Sequence, residues 1–187
     1  MGTLSFTVTM SRDGFAADAD GDFNWTAPGQ DLFDFHVERM GAVSTEILGR
    51  RTYELMTYWE AEPAGEDWGE AEREFSRRWQ QLDLVVASST IDHAELGTTP
   101  TTIVRDLGLG DIRRIVDEAA AEVEIFGPTT AAEAIRAGLV CDFRFFIVPR
   151  VVGGGLRALP EGADLALDLV EQRRFDTGAA LLHYRSR

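Results

Sequence analysis

Leu4, Phe6, Val8 and Met10 alternate with Ser5, Thr7 and Thr9, a period of two that predicts a strand ending at Ser11-Arg12-Asp13-Gly14. A polar loop follows through Ala16, Ala17, Asp18, Ala19, Asp20, Gly21 and Asp22 to Trp25. Pro28 then opens a helix whose apolar residues Leu32, Phe35, Val37 and Met40 suit one buried face. Residues 46–48 read as a short strand, the chain from Tyr53 onward as helical or irregular, and residues 70–82 as a helix with Phe75, Trp79 and Leu82 at helical spacing. Leu84-Val85-Val86-Ala87 is apolar throughout, as a strand covered on both faces requires, and it stops at Ser88-Ser89-Thr90. Next come a strand over 101–104, a helix over 110–121, a strand over 123–126 stopping at Gly127-Pro128, and a helix over 129–137 ended by Gly138. A long apolar strand over 143–152 contains Pro149, Gly153-Gly154-Gly155 turns the chain, and 165–173 with 180–184 alternate like a closing hairpin.

This order, β-α-β-α-β-β-α-β-α and then three strands, predicts an α/β fold of parallel strands with helices on both faces and an antiparallel late edge. No linker, repeat or low-complexity segment divides the 187 residues, so 1–187 reads as a single domain. With 44% hydrophobic and 27% charged residues the chain matches soluble globular proteins, and no apolar run approaches the roughly 20 residues of a membrane span. The first ten residues lack a basic segment and alternate, so they read as a strand and not a signal peptide, and the expected compartment is the cytoplasm. A lone Cys141 excludes an internal disulfide and is expected to pack in the interior. The net charge of −14 argues against partners such as nucleic acid or an anionic membrane, both of which need a basic face.

That acidity makes basic clusters informative. Arg77-Arg78 and Arg113-Arg114 sit in helical patterns rich in Glu and Asp and read as surface ion pairs. Arg50 and Arg51 differ: in Leu48-Gly49-Arg50-Arg51-Thr52-Tyr53-Glu54 they stand where a strand passes into a helix. Free N–H groups at a helix start, a glycine that allows close approach and nearby guanidinium groups suit an anionic group such as a dinucleotide phosphate. The turns at Gly49, Ser88 and Gly127 all follow strands, and ligands of such sheets bind outside the carboxyl ends of the strands.

These residues resemble the dihydrofolate reductase superfamily, in the bacterial branch that also contains the riboflavin-biosynthesis pyrimidine reductases. The resemblance is carried by Ser11-Arg12-Asp13-Gly14-Phe15-Ala16-Ala17, the Gly49 motif, Ile125-Phe126-Gly127-Pro128-Thr129-Thr130, and Ala137-Gly138-Leu139-Val140-Cys141-Asp142 leading to Val148-Pro149-Arg150-Val151-Val152-Gly153-Gly154-Gly155. It implies a three-layer dihydrofolate reductase-like fold: a mixed, mostly parallel sheet of about eight strands flanked by helices. It also implies NADPH as cofactor. Gly49, Arg50, Arg51 and Thr52 would hold its phosphates, and Ser88 and Ser89 would meet the adenosine 2′-phosphate or ribose. Gly127, Pro128, Thr129 and Thr130 would run along the pyrophosphate and nicotinamide ribose, with Phe126 or Pro128 in place of one of the family's paired glycines. Residues 14–22 would form a lid that places Ala16 and Ala17 near the ring, over a floor made by Val8 and Thr9. Homodimerisation through the late strands is a further implication.

The cofactor supplies only a hydride, so reduction of a C=N bond also needs a proton donor. Asp31 is the candidate: with one inserted residue it takes the place near the first helix start where folate reductases carry an acid followed by Leu and an aromatic. Trp25, Phe35 and Tyr53 are candidates for the wall of a flat-ring pocket. Asp18, Asp20 and Asp22 suggest calcium, but with Gly21 at the loop's sixth place the first and twelfth places hold Ala16 and Ala27, so no metal is expected. Gly108-Leu109-Gly110 has Arg113 where a Rossmann fingerprint needs glycine. His36, His93 and His183 are too scattered to form a site, and no nucleophile motif supports a hydrolase. The functional expectation is an NADPH-dependent reductase of a pterin, folate or related small heterocycle. A pyrimidine reductase acting on a ribosylamino-pyrimidine phosphate and a non-catalytic dinucleotide-binding module are the alternatives.

Overall fold

The computed structural model describes residues 2–187. In chain order the strands are β1 (Leu4–Ser11), β2 (Phe15–Ala17), β3 (Val43–Gly49), β4 (Asp83–Ala87), β5 (Thr101–Val104), β6 (Glu122–Phe126), β7 (Asp142–Val148), β8 (Leu156–Arg157), β9 (Leu167–Arg174) and β10 (Ala180–Ser186). The α-helices are α1 (Gln30–Met40), α2 (Arg50–Met56), α3 (Glu70–Trp79), α4 (Leu109–Glu118) and α5 (Pro128–Arg136). Eight strands form one sheet in the order β5-β4-β3-β6-β1-β7-β10-β9. The first six are mutually parallel, while β10 runs antiparallel to both β7 and β9. This is the mixed sheet with an antiparallel late edge that the alternation of elements predicts.

Several boundaries differ for physical reasons. The strand expected to run through Pro149 stops at Val148, because proline has no N–H to offer the ladder. The pair β2 and β8 forms a separate two-stranded ribbon, too short to leave a periodic signal. Cys141, expected inside, is exposed in the turn before β7, where its backbone N–H bonds to Leu4 O at 2.8 Å. Helix α5 begins with proline, whose missing N–H costs nothing in a first turn, and Gly138 follows its end at φ +66°.

The two faces of the sheet differ. One is mainly apolar: Phe6 on β1, Ile125 on β6, Ile47 on β3 and Phe143 on β7 pack against Ile112 and Ile115 of α4 and Ala131, Ala134 and Ile135 of α5. The other, under α1, α2 and α3, is split in two. Leu48, Leu84 and Val86 pack with Tyr53, Phe75 and Trp79 on one side. Phe146, Val148 and Leu181 pack with Leu32 and Phe175 on the other. Full burial of such side chains contributes about 1.5–3 kcal/mol each. Between these clusters lies a polar seam made by Ser5 and Thr7 of β1, Glu122 and Glu124 of β6, and Glu46 of β3. Among the described residues no helix is long and apolar enough to cross a membrane.

Candidate active site

Strands β3 and β6 are neighbours, yet the helices that follow them lie on opposite faces, α2 on the seam side and α5 on the apolar side. A crevice must therefore open at their carboxyl ends, the usual ligand position in such sheets. Gly49 caps α2 and Gly127 caps α5, neither with a side chain. The two turns touch: a Cβ on Gly49 would lie 2.7 Å from Thr130 Oγ1, and one on Gly127 would lie 3.6 Å from the hydroxyls of both Thr52 and Thr130. Gly127 also has φ +87°, a conformation that favours glycine. Helices α1, α3 and α4 all carry acids in their first turns, as the helix dipole favours, whereas α2 and α5 carry none. The N–H groups at these two starts therefore face the crevice without a competing carboxylate.

The cations expected there divide. Arg50 is engaged by Glu54 and Glu95, each at 2.7 Å, and donates to Thr90 Oγ1 at 3.1 Å. Arg51 is exposed and stands outside that network. Ser88 uses its hydroxyl to accept from the N–H groups of Thr90 and Ile91, at 3.2 and 3.1 Å, which shapes the turn after β4, and Ser89 beside it is exposed.

From the crevice a cavity of about 390 Å³ runs inward between the sheet and α1, a size that fits a small ligand. Val8, Thr9, Ala16, Phe126, Gly127 and Pro128, all predicted site residues, line its outer part. Phe33, Met40, Met56, Trp59 and Phe75 form the apolar wall. The base of the 14–22 loop is pinned to the β8 segment: Ala158 N–H donates to Gly14 O at 3.0 Å, and Arg157 lies over the Phe15 ring. Asp13 accepts from the N–H groups of Val152 and Gly153, and with the Ser11 hydrogen bond as the largest cause its carboxyl is lowered to about 2. Asp18 accepts from the N–H groups of Asp20 and Asp22, at 3.0 and 2.9 Å, closing the loop tip on itself.

The structure places the remaining predicted residues elsewhere. Asp31 lies outside the cavity in the first turn of α1, where its oxygens accept from the N–H groups of Leu32 at 2.9 Å and Asp176 at 2.6 Å. It thereby ties the helix to the β9–β10 turn. Tyr53 is buried in the α2–α3 core with its hydroxyl accepting from Gly97 N–H at 2.8 Å. Phe35 packs with Phe146 and Phe175, and Trp25 packs in that cluster beneath Arg150. Ala17 is buried beside the cavity-lining Ala16.

What the sequence reading omitted is the cavity floor. There Glu46, Glu124, Arg39 and His36 line the inner end. Glu124 is paired with Arg39 and accepts from the Thr7 hydroxyl. Arg39 also meets Glu122 at 3.0 Å, which in turn meets Arg144 at 2.7 Å and Ser5 Oγ at 2.5 Å. Burial opposes the charge on Glu122, but Ser5, Arg39 and Arg144 outweigh it and hold its carboxyl low. Glu46 has no such partner: its Oε2 accepts only from Trp79 Nε1–H, at 3.3 Å. Burial, reinforced by the Glu124 charge and only partly offset by Trp79 and Arg39, pushes the Glu46 carboxyl up to about 8. Burial, with a contribution from Arg39, lowers His36 to about 4, leaving a neutral ring against Phe146 with centroids 4.6 Å apart. The signal that could have located this floor is a carboxylate in mid-strand, in Thr45-Glu46-Ile47 and Val123-Glu124-Ile125, where a covered parallel strand should be apolar. All 18 cationic side chains of the chain are arginine, so no lysine amine is available for imine chemistry.

A family model described as the RibD C-terminal domain matches residues 3–181. Among solved structures, a putative riboflavin biosynthesis protein from Shewanella sp. PV-4 superposes with a TM-score of 0.76 at 18% identity, covering 99% of both chains. Dihydrofolate reductase from Enterococcus faecalis, complexed with NADP(H), matches with a TM-score of 0.64 at 14% identity, over 100% of this chain and 97% of that one. A pyrimidine reductase-like protein from Corynebacterium diphtheriae gives 0.66 at 13% identity, over 100% and 92%. No functionally curated protein matches the sequence.

Proposed function

The chain belongs to the RibD C-terminal domain family, and from that premise we propose that it is a reductase that uses NADPH to reduce a small nitrogen heterocycle. The observation that carries this reading is the crevice at Gly49 and Gly127, two helix starts free of acid, opening directly onto an apolar cavity with a polar floor. A polyanionic dinucleotide fits the first feature and a flat ring the second. Family membership supports a ribosylamino-pyrimidine as substrate at least as well as a pterin or folate.

In this reading the N–H groups of Thr129 and Thr130, with the hydroxyls of Thr52 and Thr130, hold the pyrophosphate. Arg51, exposed at the same edge, is the cation available to a 2′-phosphate, since Arg50 is committed to Glu54 and Glu95. Val8, Thr9, Ala16 and Phe126 enclose the reacting end and exclude water, which strengthens every polar contact inside. The lid base fixes Ala16 over this end through its ribbon with β8. When bound, the nicotinamide supplies the hydride; the chain orients it, keeps the site dry and must supply a proton.

Titrating the purified protein with NADPH and NADH by quenching of tryptophan fluorescence, then following NADPH oxidation with dihydrofolate and with the ribosylamino-pyrimidine phosphate, tests the proposal. Saturable NADPH binding and turnover of at least one probe are expected. Absence of cofactor binding would sink the reductase reading, and binding without turnover of any reducible heterocycle would leave a dinucleotide-binding module.

A further inference from the structure

A carboxyl group in the middle of a covered strand, without a cation of its own, is costly unless it stays neutral or serves the site. Glu46 is such a group: 1% of the residue is exposed, it lies beside the ion-paired Glu124, and it borders the cavity. We infer that Glu46 is the proton donor of this site, delivering its carboxyl proton to a ring nitrogen of the bound heterocycle. The inference rests on the reductase reading above.

The geometry supports it from each side. Glu46 stands three residues before Gly49 on β3, so it lies about 10 Å below the phosphate turn. The cavity of about 390 Å³ between turn and floor is where the reacting rings would be held. The groups facing Glu46 are Glu124 on β6, Arg39 and His36 on α1, and the Trp79 indole N–H on α3. Arg39 is already paired with Glu122 and Glu124, so its pull on a Glu46 carboxylate only partly offsets burial. His36 is neutral and makes only ring contacts. Glu46 is thus the carboxyl of the floor that stands outside an ion pair, whereas Asp31 lies outside the cavity with its oxygens on two backbone N–H groups.

The step balances. A bound reduced nicotinamide would supply the hydride to the C=N carbon and be oxidised by two electrons, while the nitrogen would take the Glu46 proton as the π bond between the two atoms is lost. Glu46 is left as a carboxylate beside Glu124 and recovers its proton from water once product leaves. A deep end built from a neutral acid, a neutral imidazole and a saturated arginine recognises an uncharged heterocycle edge, so any phosphate on the substrate would stay toward the cavity mouth.

Three measurements test this. In the unliganded protein, infrared spectra should show a protonated carboxylic acid band that disappears with a midpoint near pH 8 and is missing in Glu46→Gln. With NADPH and whichever probe is turned over, Glu46→Gln should lose at least 100-fold in kcat while NADPH affinity changes by less than twofold. The wild-type rate should fall on the alkaline side, and Glu124→Gln should move that fall to lower pH, a change that loss of packing would not produce. Wild-type kcat and pH profile in Glu46→Gln, or no protonated band at pH 7, would overturn the assignment while leaving the reductase reading intact. If the wild-type protein binds no NADPH, both fall together. Should Glu46→Gln fail to fold, the wild-type band and the Glu124→Gln shift still decide.

Discussion

Glu46 is buried on β3 and His36 is half-buried on α1, and the surroundings of each favour its neutral form, but they affect stability in opposite directions. The Glu46 carboxyl is raised from 4.5 to about 8, so between those values the folded chain holds a proton that the unfolded chain has released. Its contribution is present below pH 4.5 and is lost as pH rises through 8. His36 is lowered from 6.5 to about 4, so over that range the unfolded chain holds the extra proton and stability rises with pH. The two slopes oppose each other between pH 4.5 and 6.5, and above pH 6.5 only the Glu46 slope remains. The unfolding free energy from urea titrations should therefore fall between pH 6.5 and 8, by at most about 1.4 kcal/mol per pH unit, and Glu46→Gln should abolish that fall. Parallel declines in both proteins would show that the carboxyl is ionised in the folded state.

Among the elements, the turn between β6 and α5 combines backbone strain with the proposed cofactor contact. Gly127→Ala forces an L side chain into φ +87° and should cost about 1–2 kcal/mol. Gly138, at φ +66° with open space where a methyl group would sit, is the control: Gly138→Ala should destabilise similarly yet leave NADPH affinity unchanged, whereas Gly127→Ala should weaken it at least tenfold. Thermal unfolding and fluorescence titration together separate the two effects, and equal affinity losses would remove the turn from the cofactor site. The elements themselves were legible in the sequence because periodicity reports which face is covered, and the glycine turns were legible because strand ends and helix starts carry local signals. The floor was not. Glu46 and Glu124 meet only because β6 inserts between β3 and β1, a long-range pairing that no local pattern encodes. Asp31, Tyr53 and Phe35 have suitable chemistry, but the rotation of their helices turns them toward the β9–β10 turn and the cores.

At the scale of the whole molecule, a net charge of −14 surrounds a site proposed for a polyanion. The acid-free first turns of α2 and α5 act only within a turn of helix, whereas the repulsion of the remaining surface reaches about a Debye length, about 30 Å in 10 mM salt and about 8 Å at 0.15 M. Approach and capture are therefore governed by different charges. Stopped-flow mixing with NADPH should show an association rate constant that increases severalfold between those ionic strengths, the reverse of the behaviour of a basic site. A rate that falls with salt would mean that Arg51 and the helix starts dominate the field at long range. Leaving carboxylates out of two helix starts thus does more than shape a grip: it leaves a narrow approach lane in an otherwise repelling surface, and dissolved ions widen it.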